Sequence, residues 1–212
     1  EHVMKLIIAK PSPYARKVRI VLHEKGMKFE EQVDLPWSPD AIVSDMNPLG
    51  KVPVLISDDG NAIYDSSVII EYLETLGNEP KLIPTEPSRR VRVRQIEALA
   101  DGIADAAVLI TIEKHRAKMV QSIDWIVRQQ TKIDAGIAAL AEHLGGALLF
   151  DDDTISVADI ATACTLGYLD LRLPDYKWRD NATNLAVLSA SMEKRMSFSV
   201  TKPEIQEIAT VN

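Results

Sequence analysis

One cysteine, Cys164, occurs in 212 residues. A disulfide within the chain is thereby excluded, and such sparing use of cysteine suits a reducing compartment. No apolar run reaches the roughly 20 residues that a bilayer-spanning helix needs. No basic segment followed by an apolar one opens the chain, so a cytosolic location is expected, with Glu1-His2-Val3 read as an expression remnant ahead of Met4. Basic residues are outnumbered 24 to 31, a net charge of −7 that disfavours nucleic acid or an anionic membrane as partner. The histidines, His2, His23, His115 and His143, show no ligand spacing and have one cysteine to join, so no metal is expected. There is no G-x-G-x-x-G, no P-loop and no G-x-S-x-G elbow, which sets aside the dinucleotide, nucleotide and hydrolase chemistries those loops serve.

What is present centres on residues 12 to 19. The apolar run Leu6-Ile7-Ile8-Ala9 reads as a buried strand, and Ser12-Pro13 then supplies an N-cap and an N1 proline. Tyr14, Val18, Val21 and Leu22 follow at helical spacing, Arg16, Lys17, Arg19 and Glu24 take the other face, and Gly26 is the stop. One hydroxyl thus sits at a helix start, a place where an anion such as a thiolate is held well. Lys28–Val33 reads as an edge strand, Leu35–Pro39 as a loop, and Ser38-Pro39 as the start of a short helix to about Met46. After a turn at Asn47-Pro48-Leu49-Gly50-Lys51 come the strand Val52–Ile56, a hairpin at Asp58-Asp59-Gly60-Asn61, the strand Ala62–Tyr64, and a helix capped by Asp65-Ser66-Ser67. The order βαβ, α, ββα predicts a small mixed four-stranded sheet.

Gly77 to Pro87 holds three prolines and no periodicity, and reads as a linker. The domains expected are therefore 4–77, a linker at 78–87, and an all-helical 88–212. Within the latter, Ile96, Leu99, Ile103, Ala106 and Ile110 mark a long helix from Ser88 to about Lys118. Ile123, Ile126, Val127, Ile133, Ile137 and Leu140 mark a second, which ends at Gly145-Gly146. Ser156-x-x-Asp159 is a capping box before a helix that is apolar nearly all round, and a last helix is expected over about Asn184 to Met196. Arg89, Arg90, Arg92 and Arg94 read as a solvated or intersubunit ion-paired face. Cations in a first turn oppose the helix dipole, so acidic partners are expected near them.

Three stretches in order, Ser12-Pro13-Tyr14-Ala15-Arg16-Lys17-Val18-Arg19, Asn47-Pro48-Leu49-Gly50-Lys51-Val52-Pro53-Val54-Leu55 and Asp65-Ser66, resemble cytosolic glutathione S-transferases. The match is best to bacterial members with a serine at the active position, and the helical second half with Ser156-x-x-Asp159 extends it over nearly the whole chain. The resemblance implies an α+β, thioredoxin-like N-terminal domain that binds glutathione, an all-α bundle after it, and a homodimer. It implies that Ser12 donates a hydrogen bond to the glutathione sulfur and that Val52-Pro53, a cis peptide in the family, pairs with the tripeptide backbone. Lys51 would meet the glycine carboxylate, Asp65 and Ser66 the γ-glutamyl end, and Asp101 the γ-glutamyl amine held by the other subunit. Glutathione is then a co-substrate, and the second substrate a small apolar electrophile met by Tyr14, Trp37, Ile112, His115 and Met119.

The alternatives are a glutathione-dependent dehalogenase or peroxidase, and a transferase-fold interaction protein without catalysis. The Ser-Ser-Cys signature of the isomerase branch is absent. Ser12-Pro13-Tyr14-Ala15 also looks like the glutaredoxin Cys-Pro-Tyr-Cys without its sulfurs, which disfavours a mixed disulfide at that turn.

Overall fold

The computed structural model describes residues 3–207. The reading of Glu1 and His2 as a remnant, and the last five residues of the expected helical half, lie outside the described residues. The described chain forms two compact units, one running up to Leu82 and resuming at Met196, the other Ile83–Arg195.

In the first unit, β1 (Met4–Ile8), α1 (Pro13–Glu24) and β2 (Phe29–Val33) start a sheet that β3 (Val54–Ile56) and β4 (Ala62–Ile63) complete, and α2 (Ser66–Thr75) follows. Strand order is β2-β1-β3-β4; β1 pairs in parallel with β2, and β3 is antiparallel to both β1 and β4. Leu6, Ile7 and Ile8 are buried in β1, as their unbroken apolar run requires, whereas β2 is half-exposed at the edge. Asp58–Gly60 makes the hairpin, with Gly60 at φ +83°.

The helix expected over Ser38–Met46 does not form, and a single 3-10 turn at Val43–Asp45 stands in its place. The Asp34 carboxylate explains this. It accepts from the Val43 N–H at 2.8 Å and the Ile42 N–H at 3.4 Å, a local alternative to helical pairing.

The second unit is helical: α3 (Pro87–His115), α4 (Ile123–Leu144), α5 (Val157–Arg172), α6 (Trp178–Asn181) and α7 (Thr183–Glu193). Ile123 and Val127, expected on the buried stripe of α4, are exposed, and burial on that helix begins at Gln129. The last expected helix ends at Glu193 and not Met196, and the short α6 precedes it unforeseen. The arginine run is ion-paired and anchored: Arg89 makes two bonds of 2.9 Å to Asp151, Arg94 lies 2.6 Å from Glu97, and Arg92 donates to the His143 carbonyl. Helices α3 and α4 touch at Gly136, where an added Cβ would lie 2.4 Å from Ile103 Cγ1. We predict that Gly136→Ala costs about 1–3 kcal/mol of stability through overpacking. An unchanged denaturation midpoint would show that the two helices separate freely at this point.

After α7 the chain returns to the first unit through α8 (Met196–Ser199), which differs from a division that leaves everything beyond residue 88 in the helical half. This return explains a second departure. Arg16 and Lys17, expected on the solvent face of α1, are 2% and 1% exposed. Arg16 donates to the Phe198 carbonyl at 3.1 Å and lies over the Phe198 ring, so the C-terminal segment covers Arg16. Among the described residues no helix is long and apolar enough to cross a membrane.

Candidate functional site

Strand direction alone gathers the candidate residues of the first unit. The register Ile7↔Val54 sets the start of β3 beside the end of β1, and Leu55↔Ile63 sets the end of β4 beside the start of β3. The turn after β1, the approach to β3 and the exit of β4 therefore share one end of the sheet. Ser12, Lys51-Val52-Pro53 and Asp65-Ser66 occupy those three places in turn. Trp37 follows β2, which runs parallel to β1, and so belongs to the same end.

Two of the three places are built by ordinary capping chemistry. Ser12, half-buried, has φ −64° and ψ 119°, and its Oγ accepts from the Ala15 N–H at 3.1 Å. The hydroxyl is an acceptor in that bond, so it keeps its hydrogen for donation. Pro13 at N1 has no N–H to satisfy, and the first turn of α1 carries no acidic side chain, so the positive end of the helix is not neutralised from within. Asp65 caps α2, its Oδ1 accepting from Ser67 N at 3.1 Å and Val68 N at 3.4 Å, and Ser66 is buried at the first helical position. Two helix N-termini thus open at one end of the sheet, an arrangement suited to carboxylates and a thiolate. The Val52–Pro53 peptide is cis, with Pro53 buried and Lys51 exposed.

The other candidates lie in the second unit. Asp101 is half-buried on α3; Ile112 and His115 are exposed on its last turns, and Met119, 97% exposed, is in the 3-10 turn that follows. His115 Nδ1 is 2.8 Å from the Thr111 carbonyl. Cys164 is buried on α5. No group of three or more His, Cys, Asp or Glu side chains that could hold a metal occurs among the described residues.

Sequence reasoning took Asn47 as a turn signal within the second resembling stretch and gave it no role of its own. It is 3% exposed in a turn whose neighbours Pro48 and Leu49 are open to solvent. Its Nδ2 donates to the Lys51 carbonyl and its Oδ1 accepts from the Leu49 N–H, both at 3.0 Å. The tendency of Asn to bond backbone two residues on was the available signal.

Comparison with known proteins identifies the family. Residues 11–76 match the family model for the glutathione S-transferase N-terminal domain, and residues 110–187 that for the C-terminal domain. The chain belongs to the glutathione S-transferase family. It is 40% identical over 200 residues to the uncharacterised GST-like protein YibF of Escherichia coli (strain K12), an alignment covering 94% of this chain and 98% of that protein. A glutathione S-transferase of Methylobacterium radiotolerans, solved with glutathione sulfonate, superposes with TM-score 0.94 at 42% identity, covering 97% of each chain. One from Methylobacillus flagellatus, solved with glutathione, superposes at 0.91 and 41% identity, covering 95% of this chain and all of the other.

Proposed function

We propose that this protein is a cytosolic, homodimeric transferase that binds glutathione at the shared end of the sheet and adds its thiolate to small apolar electrophiles. The observation that carries the reading is the gathering of Ser12, Lys51-Val52-Pro53 and Asp65-Ser66 at that end by strand register, in a family whose similar structures hold glutathione or its sulfonate. Ser12 donates its hydroxyl hydrogen to the cysteinyl sulfur. The Val52 backbone pairs with the main chain of the tripeptide, and Lys51 faces the glycine carboxylate. Ser66 and the start of α2 receive the γ-glutamyl carboxylate while Asp65 faces the ammonium group. Asp101 of a second copy is assigned to the same amine. Side chains at accessible positions, Tyr14 and Trp37 in one unit and Ile112, His115 and Met119 in the other, are our candidates for recognising the electrophile.

The size of the Ser12 effect follows from its chemistry. A hydrogen bond to a charged partner contributes about 1.5–3 kcal/mol, and one pKa unit corresponds to about 1.36 kcal/mol. Ser12 therefore lowers the bound thiol pKa by roughly one to two units, and the start of α1 acts in the same direction. We predict that Ser12→Ala raises that pKa by this amount with glutathione affinity largely kept. Titration calorimetry with thiolate absorbance on each complex measures both. Absence of binding to the wild-type protein at millimolar glutathione would sink the transferase reading.

A further inference from the structure

Asn47 makes four bonds in one tight turn. Besides the two of its amide, its N–H donates to the Val43 carbonyl and its carbonyl accepts from the Gly50 N–H, each at 2.8 Å. Gly50 has φ +61°, and a Cβ there would stand 3.2 Å from Ser44 Oγ, so the turn has little room to adjust. Val43 belongs to a buried cluster with Ile7 and Val54, against which Met46 and Val52 pack. The turn is thus anchored to the sheet at one end and to the Asn47 amide at the other.

The amide acts on one particular peptide plane. Lys51 C=O and Val52 N–H belong to the same rigid unit and, in a trans peptide, point in opposite directions. When Nδ2 of Asn47 holds the Lys51 carbonyl toward the turn, the Val52 N–H is directed away from it. The same bond fixes the backbone from which the exposed Lys51 side chain departs.

We propose that Asn47 is the positioning residue that aims Val52 and Lys51 at the cysteinyl-glycine half of glutathione, an inference that rests on the glutathione site proposed above. Asn47 does not touch the ligand. It acts through the Lys51–Val52 peptide, and it has no part in the Ser12 turn on the neighbouring strand. Its removal therefore weakens recognition of the cysteinyl-glycine half, most of all at the glycine carboxylate, and leaves activation of the thiol alone.

Two variants test this. Asn47→Asp keeps an oxygen for the Leu49 N–H but replaces the donor to Lys51 with an acceptor, so the turn survives while the peptide loses its hold. Asn47→Ala removes both bonds. Thermal melts establish that each variant is folded, and calorimetry compares glutathione with γ-glutamylcysteine, which lacks the glycine. The expected result for Asn47→Asp is glutathione binding about tenfold weaker, the order of one lost orienting interaction. The dipeptide, which keeps the cysteinyl contact of Val52 but lacks the carboxylate met by Lys51, should lose less, and the thiol pKa of bound glutathione should stay at the wild-type value. A folded variant with wild-type glutathione affinity, or one weakened equally toward both ligands, overturns the inference. Failure of the wild-type protein itself to bind glutathione overturns both this inference and the function it rests on; wild-type binding with an indifferent Asn47→Asp overturns the inference alone.

Discussion

Replacing Lys25 with methionine should lower the free energy of unfolding by about 3–5 kcal/mol, the cost of leaving a buried charge without its partner. The Lys25 side chain is 0% exposed and its Nζ lies 2.8 Å from Glu74 Oε1, whose own side chain is 9% exposed. The ammonium group also donates to the Asn78 and Pro80 carbonyls, each at 2.9 Å, and Glu74 Oε1 accepts from the Leu82 N–H at 3.2 Å. The end of α1, the end of α2 and the segment leaving them are thus tied at one ammonium group. Methionine fills a similar volume but leaves one carboxylate and two carbonyls short of a donor. Equilibrium urea unfolding at fixed protein concentration reads the loss. A double change, Lys25→Met with Glu74→Leu, should recover part of it, because an apolar pair leaves no stranded carboxylate. A single-variant loss under about 1 kcal/mol would place the pair with exposed ion pairs instead.

Nothing local in the sequence announces that role. Lys25 stands just before Gly26 and reads as an ordinary cation in a last helical turn. Its burial depends on residues 74 to 82, and that of Arg16 on Phe198, a separation of 182 positions. Signals of short range were legible. Ser12-Pro13 starts α1, Asp65 caps α2, Asp58–Gly60 turns the hairpin, and Gly145 ends α4, because each is a bond between near neighbours. The turns and caps at the three chain positions were local signals of the same kind, whereas their proposed roles came from the resemblance of the three stretches to one family. Their meeting at one end of the sheet needs the register of β1, β3 and β4, which the order of elements constrains but does not display. The segment from Ser38 to Met46 shows the converse. Its own residues favour a helix start, yet the carboxylate of Asp34 on the preceding loop claims its N–H groups. Propensity gives way to one well-placed acceptor. Likewise Asn47 was visible as a turn former, whereas the peptide its amide holds depends on a fold-back of four residues.

In the second unit the largest effect is expected at Asp159. This side chain is 0% exposed; Oδ1 accepts from the Phe150 N–H at 2.9 Å, and Oδ2 accepts from the Ser156 N–H at 2.8 Å and from Ser156 Oγ at 2.9 Å. One carboxylate thus completes the capping box of α5 and pins the end of the connection from α4, which Arg89 holds through Asp151 as well. Asp159→Ala strands two buried N–H donors at about 1–3 kcal/mol each and removes a cap interaction of about 1 kcal/mol. The expected loss is about 3–5 kcal/mol, summed conservatively from those figures because neighbouring terms do not simply add. Burial pushes the Asp159 carboxyl above its ordinary range, and the three hydrogen bonds offset this only in part. A group whose folded-state pKa is raised binds protons more readily in the folded chain, so its contribution is full below the ordinary aspartate value and declines as pH rises through the raised one. The stability difference between wild type and Asp159→Ala should accordingly shrink with rising pH across that window. Urea midpoints of both proteins at a series of pH values test the sign. A difference that grows with pH would mean that the three hydrogen bonds to the ionised carboxylate outweigh its burial, and that α5 is capped by a charge the interior accepts.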